Sequence, residues 1–403
     1  MSRPIRRLAV LWSRLGPYHT ARLAALEGFL AERDVDLVAL ETASADQTYD
    51  WDVEAGRRET LFSGRAFEDV PSPAIEDAVR DALDRADPDA VAVPSYSTPD
   101  ARAALGWARR NRRVAVMLFD SRRDDAEREG WREAVKRALV GAFDAALVAG
   151  TPQRDYALEL GIPPSHAFTP VDVVDNERFA RLAAASRADR PAGDARRFLT
   201  VSRLTPRKGV DVLLEAYARY RDQTPDPWDL EVVGDGPERA ALEATAGPGV
   251  TFAGFVQGDA VGRAYGRADA FVLPSLADPW GLVVNEAMAA SLPVVVSEGA
   301  GCAPDLVEPG RNGWTAPPGD AGALAACLSR VADLEADARA AMGERSREIV
   351  AGYGLDDFCA GLWDAAQAGR SRSDRGLSLS AAAVLGVLRL TARRPRAFQT
   401  VPD

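Results

Sequence analysis

The first half of the chain alternates short, almost wholly apolar runs with amphipathic segments of helical period. Such runs are typical of strands that are buried on both faces of a parallel sheet. Regular alternation of strands and helices predicts a doubly wound α/β domain. The predicted strands are residues 8–11, 37–40, 90–94, 114–119 and 145–148, and the predicted helices are residues 19–33, 73–86, 99–111 and 129–142.

A second series begins at residue 197, after a segment (183–197) that is rich in Ala, Arg, Asp and Gly and lacks apolar periodicity. That segment is predicted to link two Rossmann-like domains. Doubly wound sheets bind ligands at the carboxyl ends of their strands, so we expect the site in a cleft between the domains. The predicted strands here are residues 197–201, 229–233, 251–253, 270–273 and 293–297, and the predicted helices are residues 209–222, 237–246, 260–268, 281–291, 321–339 and 357–368.

Composition narrows the possible chemistry. A length of 403 residues suits two domains. Three scattered cysteines and two histidines argue against a disulfide framework or a metal cluster, and a reducing, cytoplasmic compartment fits. The net charge of −11 disfavours a nucleic-acid binder, and the apolar run at residues 8–12 is too short for a signal peptide. Lysine is rare: the 49 basic residues include only Lys136 and Lys208.

The end of the chain has the opposite charge from the rest. Residues 370–403 contain seven arginines and two aspartates. A helix over residues 380–396 would gather Val384, Leu385 and Leu388 on one side, with arginines near its end. Two interpretations stay open: a solvated tail, or a surface helix attracted to anionic lipid at the inner face of a membrane.

The strongest constellation of polar residues follows the predicted strand 270–273. Asp278 precedes a helix and Glu286 lies on its second turn, so both carboxylates are able to face one ligand. Free backbone N–H groups at a helix start, here near Trp280, Gly281 and Leu282, are suited to bind a diphosphate, and a carboxylate further along is suited to bind a ribose. The alternative is an acidic helix cap and an unrelated surface glutamate.

Two other loops add to this site. Arg203 and Lys208 flank the loop after strand 197–201, where fixed positive charge is suited to bind phosphate. Gly234 lies in a turn after strand 229–233, where glycine permits close approach of a ligand to the backbone. Gly299 and Gly301 form another such turn. Each glycine turn by itself is a weak signal.

Taken in order, residues 201–209, 233–237, 274–296 and 301–313 resemble the family-4 retaining glycosyltransferases of the GT-B fold (glycosyl transferases group 1). The resemblance covers essentially the whole second half. It implies an α/β GT-B fold, with two Rossmann-like domains facing each other across a cleft. It also implies a nucleoside-diphosphate sugar donor and retention of the anomeric configuration. No cofactor and no divalent metal are expected.

The resemblance also implies a division of the chain. Residues 1–190 would bind the acceptor and residues 197–355 the nucleotide sugar. Residues 356–369 would form a helix that crosses back to pack on the first domain, and residues 370–403 would form the basic tail.

Roles for individual residues follow from the resemblance. Arg203 and Lys208 would stabilise the donor diphosphate and the charge on the leaving group, and Glu286 would hold the ribose. Asp278 stands where the family usually has a glutamate that contacts the transferred sugar; aspartate is one methylene shorter, so the sugar's identity is left open. The remaining donor contacts are expected at Gly234, Pro279, Trp280, Gly281 and Leu282, with the base read around residues 254–257.

The first half resembles the family less closely. Gly16, in the loop after strand 8–11, is the candidate for approach to the donor phosphates. His19 either packs at a helix start or lines the acceptor side of the cleft. Asp120 stands where the family often has a histidine, and it either contacts the acceptor or sugar or caps the following turn.

The predicted function is therefore sugar transfer with retention, from a UDP- or GDP-sugar to a hydroxyl acceptor, in polysaccharide, glycolipid or cell-envelope glycan synthesis. The acceptor is lipid-linked, a polysaccharide or a soluble metabolite. Two alternatives are a nucleotide-sugar 2-epimerase of the same fold and a catalytically inactive nucleotide-sugar-binding scaffold.

Overall fold

A computed structural model describes residues 4–45, 58–125, 129–191 and 193–391. The first series of elements comprises β1 (Arg7–Trp12), α1 (Pro17–Ala31), β2 (Asp36–Ala45), β3 (Glu59–Ala66), α2 (Ser72–Ala86), β4 (Ala90–Pro94), α3 (Pro99–Asn111), β5 (Val114–Phe119), α4 (Gly130–Val140), β6 (Ala145–Val148), α5 (Thr151–Glu159) and β7 (Ala167–Phe168).

The second series comprises α6 (Asn176–Ala188), β8 (Arg197–Val201), α7 (Val210–Gln223), β9 (Asp229–Val233), α8 (Arg239–Thr245), β10 (Val250–Gly254), α9 (Asp259–Arg267), β11 (Ala270–Leu273), α10 (Leu282–Ala289), β12 (Val294–Ser297), α11 (Ala303–Leu306), β13 (Gly313–Ala316), α12 (Ala321–Ala332) and α13 (Ala336–Val350). Two further helices end the described chain: α14 (Leu355–Gly369) and α15 (Leu379–Thr391).

The elements form two compact units, each with one parallel sheet. The first unit runs to Val173 and resumes at Leu355, and its strands are ordered β3-β2-β1-β4-β5-β6-β7. The second unit is Val174–Gly354, with the order β10-β9-β8-β11-β12-β13. In each sheet the order reverses beside the first strand, at β1/β4 and at β8/β11. Such a switch point leaves a crevice at the carboxyl ends of the strands.

Each unit has its own hydrophobic core. In the first unit, β5 and β6 are buried along their whole length, as their continuous apolar sequences predict. In the second unit the core includes an aromatic group in which the Phe198 ring lies 4.9 Å from Trp228 and 5.5 Å from Tyr220. The Tyr217 hydroxyl donates to the Trp228 carbonyl at 2.8 Å, which satisfies a buried polar group.

The boundary between the units differs from the sequence prediction. Residues 183–188 are helical rather than linker, because they complete α6, which belongs to the second unit together with the rest of residues 174–190. An added Cβ at Gly262 would lie 2.7 Å from Leu182, and one at Gly266 would lie 2.4 Å from the Ala183 carbonyl oxygen. These two glycines of α9 therefore let α6 pack closely, a contact that the composition of the segment does not reveal.

The helix predicted at residues 356–369 is α14, which packs on α1, β5 and β6 of the first unit. Its Phe358 and Leu362 are fully buried, and an added Cβ at Gly361 would lie 3.0 Å from the Thr169 carbonyl oxygen. The single helix predicted at residues 321–339 is two helices, α12 and α13. No described helix is both long and apolar enough to cross a membrane.

Candidate functional site

In the second unit, the neighbouring strands β8 and β11 lead into loops at the same edge of the sheet. The loop after β8 carries Arg203 and Lys208, and the loop after β11 carries Asp278. Gly209, at φ +62°, ends the first loop, and an added Cβ there would lie 2.5 Å from the Pro274 carbonyl oxygen. Glycine therefore allows the two loops to approach each other.

Lys208 and Asp278 form an ion pair. Lys208 Nζ lies 2.5 Å from Asp278 Oδ2, and their side chains are 27% and 10% exposed. The Asp278 backbone is fixed by the next turn: its N–H donates to the Gly299 carbonyl at 3.0 Å, and its carbonyl accepts from Gly301 N–H at 2.9 Å. The ammonium group of Lys208 therefore has a carboxylate as its partner in this structure, and its contact with a phosphate stays a prediction.

The start of α10 follows Asp278 directly. Gly281, at φ +102°, is the residue before the helix, a backbone conformation that favours glycine. Trp280 is buried, its Nε1 donates to Asn285 Oδ1 at 2.9 Å, and its ring stacks on Tyr353 with centroids 5.7 Å apart. The Trp280 side chain is therefore a packing group, and a donor contact there would use the backbone. Two predicted donor contacts are half-buried: Pro279 and Leu282.

Glu286 lies inside α10 and is 1% exposed. Its Oε2 accepts a hydrogen bond of 2.7 Å from the hydroxyl of Tyr265, which is itself fully buried on α9. The Tyr265 ring is held between Phe179 and Phe271. Sequence reasoning missed Tyr265, which fixes the orientation of the carboxylate assigned to the ribose.

Removal of this hydroxyl gives a first prediction. Tyr265→Phe should raise the donor KM by about 5- to 10-fold, since one charge-assisted hydrogen bond orients Glu286. Steady-state kinetics with varied donor concentration measure this KM. The kcat should change by less than about twofold, because Tyr265 does not contact the reacting groups. A fall in kcat with unchanged KM would contradict a positioning role.

Gly234 has a structural requirement of its own. Its φ is +140°, and an added Cβ would lie 1.8 Å from the Ser202 carbonyl oxygen. Its N–H donates to the Gly254 carbonyl at 2.8 Å. Close approach between the ends of β8 and β9 therefore accounts for this glycine, and its contact with a donor stays a prediction.

Several buried polar atoms near the ion pair have no hydrogen-bond partner among the described residues. They are Ser202 Oγ, Ser275 Oγ, and Nε and Nη2 of Arg207. Buried polar groups are usually paired, and a polar ligand at this edge of the sheet would give these atoms partners. Ser202 and Arg207 share the loop of Lys208, and Ser275 follows β11; sequence reasoning did not single them out.

In the first unit, the loop after β1 is held by two buried carboxylates. Ser13 Oγ donates to Asp100 Oδ2 at 2.6 Å, and Leu15 N–H donates to Glu41 Oε1 at 3.0 Å. Gly16 follows with an extended backbone and precedes α1. The structure thus places Gly16 at the carboxyl edge of the β1/β4 switch point, and its approach to phosphate stays a prediction.

His19 closes this loop. Its Nδ1 accepts a hydrogen bond of 2.9 Å from Gly16 N–H, and its ring centroid is 5.0 Å from that of Trp12. Burial, together with the positive charge of Arg22, lowers the pKa of His19 to about 3. The ring is therefore neutral, with its proton on Nε2. These contacts fit the first of the two predicted alternatives, that His19 packs at a helix start. A contact of its Nε2–H group with the acceptor stays a prediction.

Asp120 follows β5 and faces a cluster of charged groups. Burial, reinforced by the carboxylates of Asp172 and Asp125, raises the pKa of Asp120 to about 7, against the opposing effect of Arg22. Arg22 itself lies 3.4 Å from Asp172 Oδ1 and donates to the Val173 carbonyl. Asp125, rather than Asp120, caps the following turn by accepting from Arg122 N–H at 2.6 Å.

Asp120 gives a second prediction. The pKa of Asp120 is higher in the folded protein than in the unfolded chain, so ionisation of this group favours unfolding. The folding stability that it contributes is therefore lost as pH rises from near 4 to about 7. Asp120→Asn should therefore raise the melting temperature at pH 8 by at least ~3 °C and change it by less than ~1 °C at pH 4. Thermal unfolding at both pH values checks this, and equal shifts at both would contradict it.

The described residues contain no group of three or more His, Cys, Asp and Glu side chains that is placed to hold a metal ion. Metal independence stays a prediction.

Comparison with known proteins identifies the second unit. The family described as Glycosyl transferases group 1 matches residues 195–333. The amylovoran biosynthesis glycosyltransferase AmsK of Erwinia amylovora is 40% identical over 152 residues, which are 35% of this chain and 37% of that protein. A GDP-mannose-dependent alpha-(1-6)-phosphatidylinositol monomannoside mannosyltransferase of Mycolicibacterium smegmatis is 32% identical over 202 residues, 46% of this chain and 50% of that protein. The chain thus spans half or less of the length of these relatives.

Solved structures extend the likeness to nearly the whole chain. Anabaena Alr3699/HepE, in complex with UDP and glucose, has a TM-score of 0.67 at 18% identity, covering 89% of this chain and 98% of that one. With the two doubly wound sheets, this likeness confirms the predicted GT-B fold. Residues 195–333 match the Glycosyl transferases group 1 family, and the described chain has the GT-B fold.

Proposed function

We propose that the protein is a retaining, family-4 glycosyltransferase that moves a sugar from a nucleoside-diphosphate sugar to a hydroxyl acceptor. The observation that carries the proposal is the Lys208–Asp278 pair at the β8/β11 switch point, 2.5 Å apart, within the Glycosyl transferases group 1 domain. Ligands of doubly wound folds bind at this edge of the sheet. The unpartnered atoms of Ser202, Ser275 and Arg207 support a polar ligand there.

The comparisons support the choice of donor and pathway. One structural neighbour was solved with UDP and glucose, and one relative is named as GDP-mannose-dependent, so the donor is a UDP- or GDP-sugar. A relative that is named for amylovoran biosynthesis favours a role in polysaccharide, glycolipid or cell-envelope glycan synthesis. The acceptor is a hydroxyl on a lipid-linked or polysaccharide intermediate.

Donor binding begins with an exchange of partners. The diphosphate takes Lys208 from Asp278, because two phosphates carry more negative charge than one carboxylate. Asp278 then turns to the hydroxyls of the sugar, while Glu286, oriented by Tyr265, holds the ribose. Arg203, half-buried in the Lys208 loop, adds a second positive charge to the phosphates.

The transfer step requires no protein base. The bond from the anomeric carbon to the diphosphate oxygen breaks first, and its electron pair stays on that oxygen. The acceptor hydroxyl adds from the same face, and its proton passes to the departing phosphate. Arg203, Lys208 and the start of α10 stabilise the growing charge, at roughly 3–4 kcal/mol for one well-placed donor, so neither a metal nor a cofactor is needed.

A panel of UDP-, GDP- and ADP-sugars tests the proposal. One of them should raise the melting temperature by mass action and should be hydrolysed slowly to free sugar and nucleoside diphosphate in the absence of an acceptor. Epimerised donor would instead assign the protein to the 2-epimerases. Binding without any turnover would make it a nucleotide-sugar-binding scaffold, and either outcome overturns the proposal.

A further inference from the structure

A cavity of about 390 Å³ lies in the first unit between α2, α3 and α15, and none of the residues assigned above to the candidate site lines it. Its lining is strongly basic. One carboxylate, Glu76, faces five arginines: Arg80, Arg102, Arg109, Arg110 and Arg389.

Three of these arginines are compensated by neighbouring acids. Arg389 Nε lies 3.5 Å from Glu76 Oε2, and its Nη2 lies 3.6 Å from Asp77 Oδ1. Arg80 lies 2.7 Å from Glu76 and 2.6 Å from Asp77. Arg109 is buried and forms an ion pair with Asp144. These pairs account for part of the positive charge as ordinary structural contacts.

Arg102 and Arg110 form no ion pair with a carboxylate among the described residues. Arg102 donates to the Ser97 carbonyl, and the charges of Glu76 and Asp100 attract it without direct contact, whereas Arg110 is exposed. Arg102 is 7% exposed, and burial lowers the pKa of its guanidinium. A buried charge is costly unless it is paired, so the cavity favours an anion. Planar guanidinium groups match the geometry of phosphate oxygens.

Helix α15 forms the third wall of the cavity and indicates which kind of anion the cavity favours. Helix α15 contributes Leu377, just before it, and Leu385 to the lining. Its outer face is also apolar: Leu379 is 92% exposed and Val387 is 58% exposed. Arg389 is the one charged residue among the 13 of this helix. An apolar outer face beside a basic cavity is typical of a membrane-surface helix.

The apolar side that the sequence predicts for the tail helix packs on the protein. Val384, Leu385 and Leu388 are half-buried on the first unit, so the surface available to lipid is the opposite one. The predicted helix 380–396 is described as far as Thr391, and Arg393, Arg394 and Arg396 lie outside the described residues.

From these observations we propose that the cavity binds the phosphate of an anionic phospholipid, with the outer face of α15 lying in the membrane interface. Arg102 and Arg110 bind the phosphate, and Leu379 and Val387 contact the acyl boundary. This proposal concerns a peripheral contact and stands independently of the proposed transfer reaction.

Vesicle flotation with matched variants tests it. Gly106 lines the cavity in the middle of α3, and an added Cβ there would meet no atom within 4 Å, so Gly106→Leu should fill the cavity without a clash. Gly28 on α1 is equally unobstructed, which makes Gly28→Leu the control. Arg110→Gln removes one unpaired charge, and Arg219→Gln on α7 of the second unit is its charge-matched control.

The wild-type protein should float with phosphatidylcholine vesicles that contain phosphatidylglycerol and should bind neutral vesicles at least tenfold more weakly, on the order of two basic contacts. Gly106→Leu and Arg110→Gln should each lower the partition coefficient about fivefold, as expected for one basic contact, and both controls should leave it unchanged. Equal flotation of Gly106→Leu and the wild type would overturn the proposal. Protection against thermal unfolding by inorganic phosphate or glycerol 3-phosphate, without vesicle binding, would assign the cavity to a soluble phosphate ester and overturn the lipid assignment.

Discussion

Lys208→Ala should lower the rate of sugar transfer by about 100- to 1,000-fold, because one preorganised cation on the leaving diphosphate contributes roughly 3–4 kcal/mol to the transition state. The ion pair with Asp278 at 2.5 Å shows that this ammonium lies at the switch point even without a donor. Release of nucleoside diphosphate, measured under saturating donor, gives the rate. Lys208→Arg should retain part of the activity, since it keeps the charge but changes its geometry.

The chain supplies its own control for this substitution, because it contains just one other lysine. Lys136 lies on α4 and contacts Glu133 at 2.8 Å and the Tyr156 hydroxyl at 3.1 Å, both in the first unit. Lys136→Ala should leave the rate within about twofold of the wild type, as expected away from the reacting groups. Near-normal turnover of Lys208→Ala, or an equal loss in both variants, would remove Lys208 from the catalytic machinery.

Glu286→Ala should raise the donor KM by about 10- to 100-fold, because a charge-assisted contact with the ribose is worth roughly 1.5–3 kcal/mol. At low donor concentration, transfer should fall below detection. Titration of nucleoside diphosphate by calorimetry measures the same loss without turnover. Glu215→Ala, which removes an exposed carboxylate from α7, is the charge control and should bind like the wild type.

The buried environment of Glu286 requires a second variant. Removing its carboxylate leaves the buried Tyr265 hydroxyl with a longer hydrogen bond, 3.3 Å to the Val283 carbonyl, and costs about 1–3 kcal/mol of folding stability. The double variant Glu286→Ala/Tyr265→Phe should recover much of that stability but none of the donor affinity. If affinity returned together with stability, Glu286 would be a structural residue and its assignment to the ribose would be wrong.

The sequence predicted the parts of the fold whose apolar residues are continuous. Strands β5 and β6 have the predicted bounds, since both faces of each are buried. Strand β3 was missed, because it lies at the sheet edge, is mostly half-exposed and has no continuous apolar run. Helix α6 was partly assigned to a linker, since its close packing depends on Gly262 and Gly266, far along the chain.

The candidate site was predictable to a similar extent. Position in loops at the carboxyl ends of strands was enough to assign Lys208 and Asp278 to one site. The hydrogen bond that orients Glu286 could not be predicted, because Tyr265 lies 21 residues away on another helix and carries no local sequence signal. The same holds for Asp100, whose hydrogen bond to Ser13 joins residues 87 positions apart.

The central claim is that this protein cleaves a nucleotide sugar and retains the configuration of its anomeric carbon. Proton NMR tests it most directly, during incubation with the nucleotide sugar that raises the melting temperature. The spectrum resolves the two anomers of the sugar before they equilibrate. The account predicts that the first sugar released or transferred has the donor's configuration and that Lys208→Ala releases none. Release of the opposite anomer, or no cleavage of any UDP-, GDP- or ADP-sugar by the wild type, would contradict it.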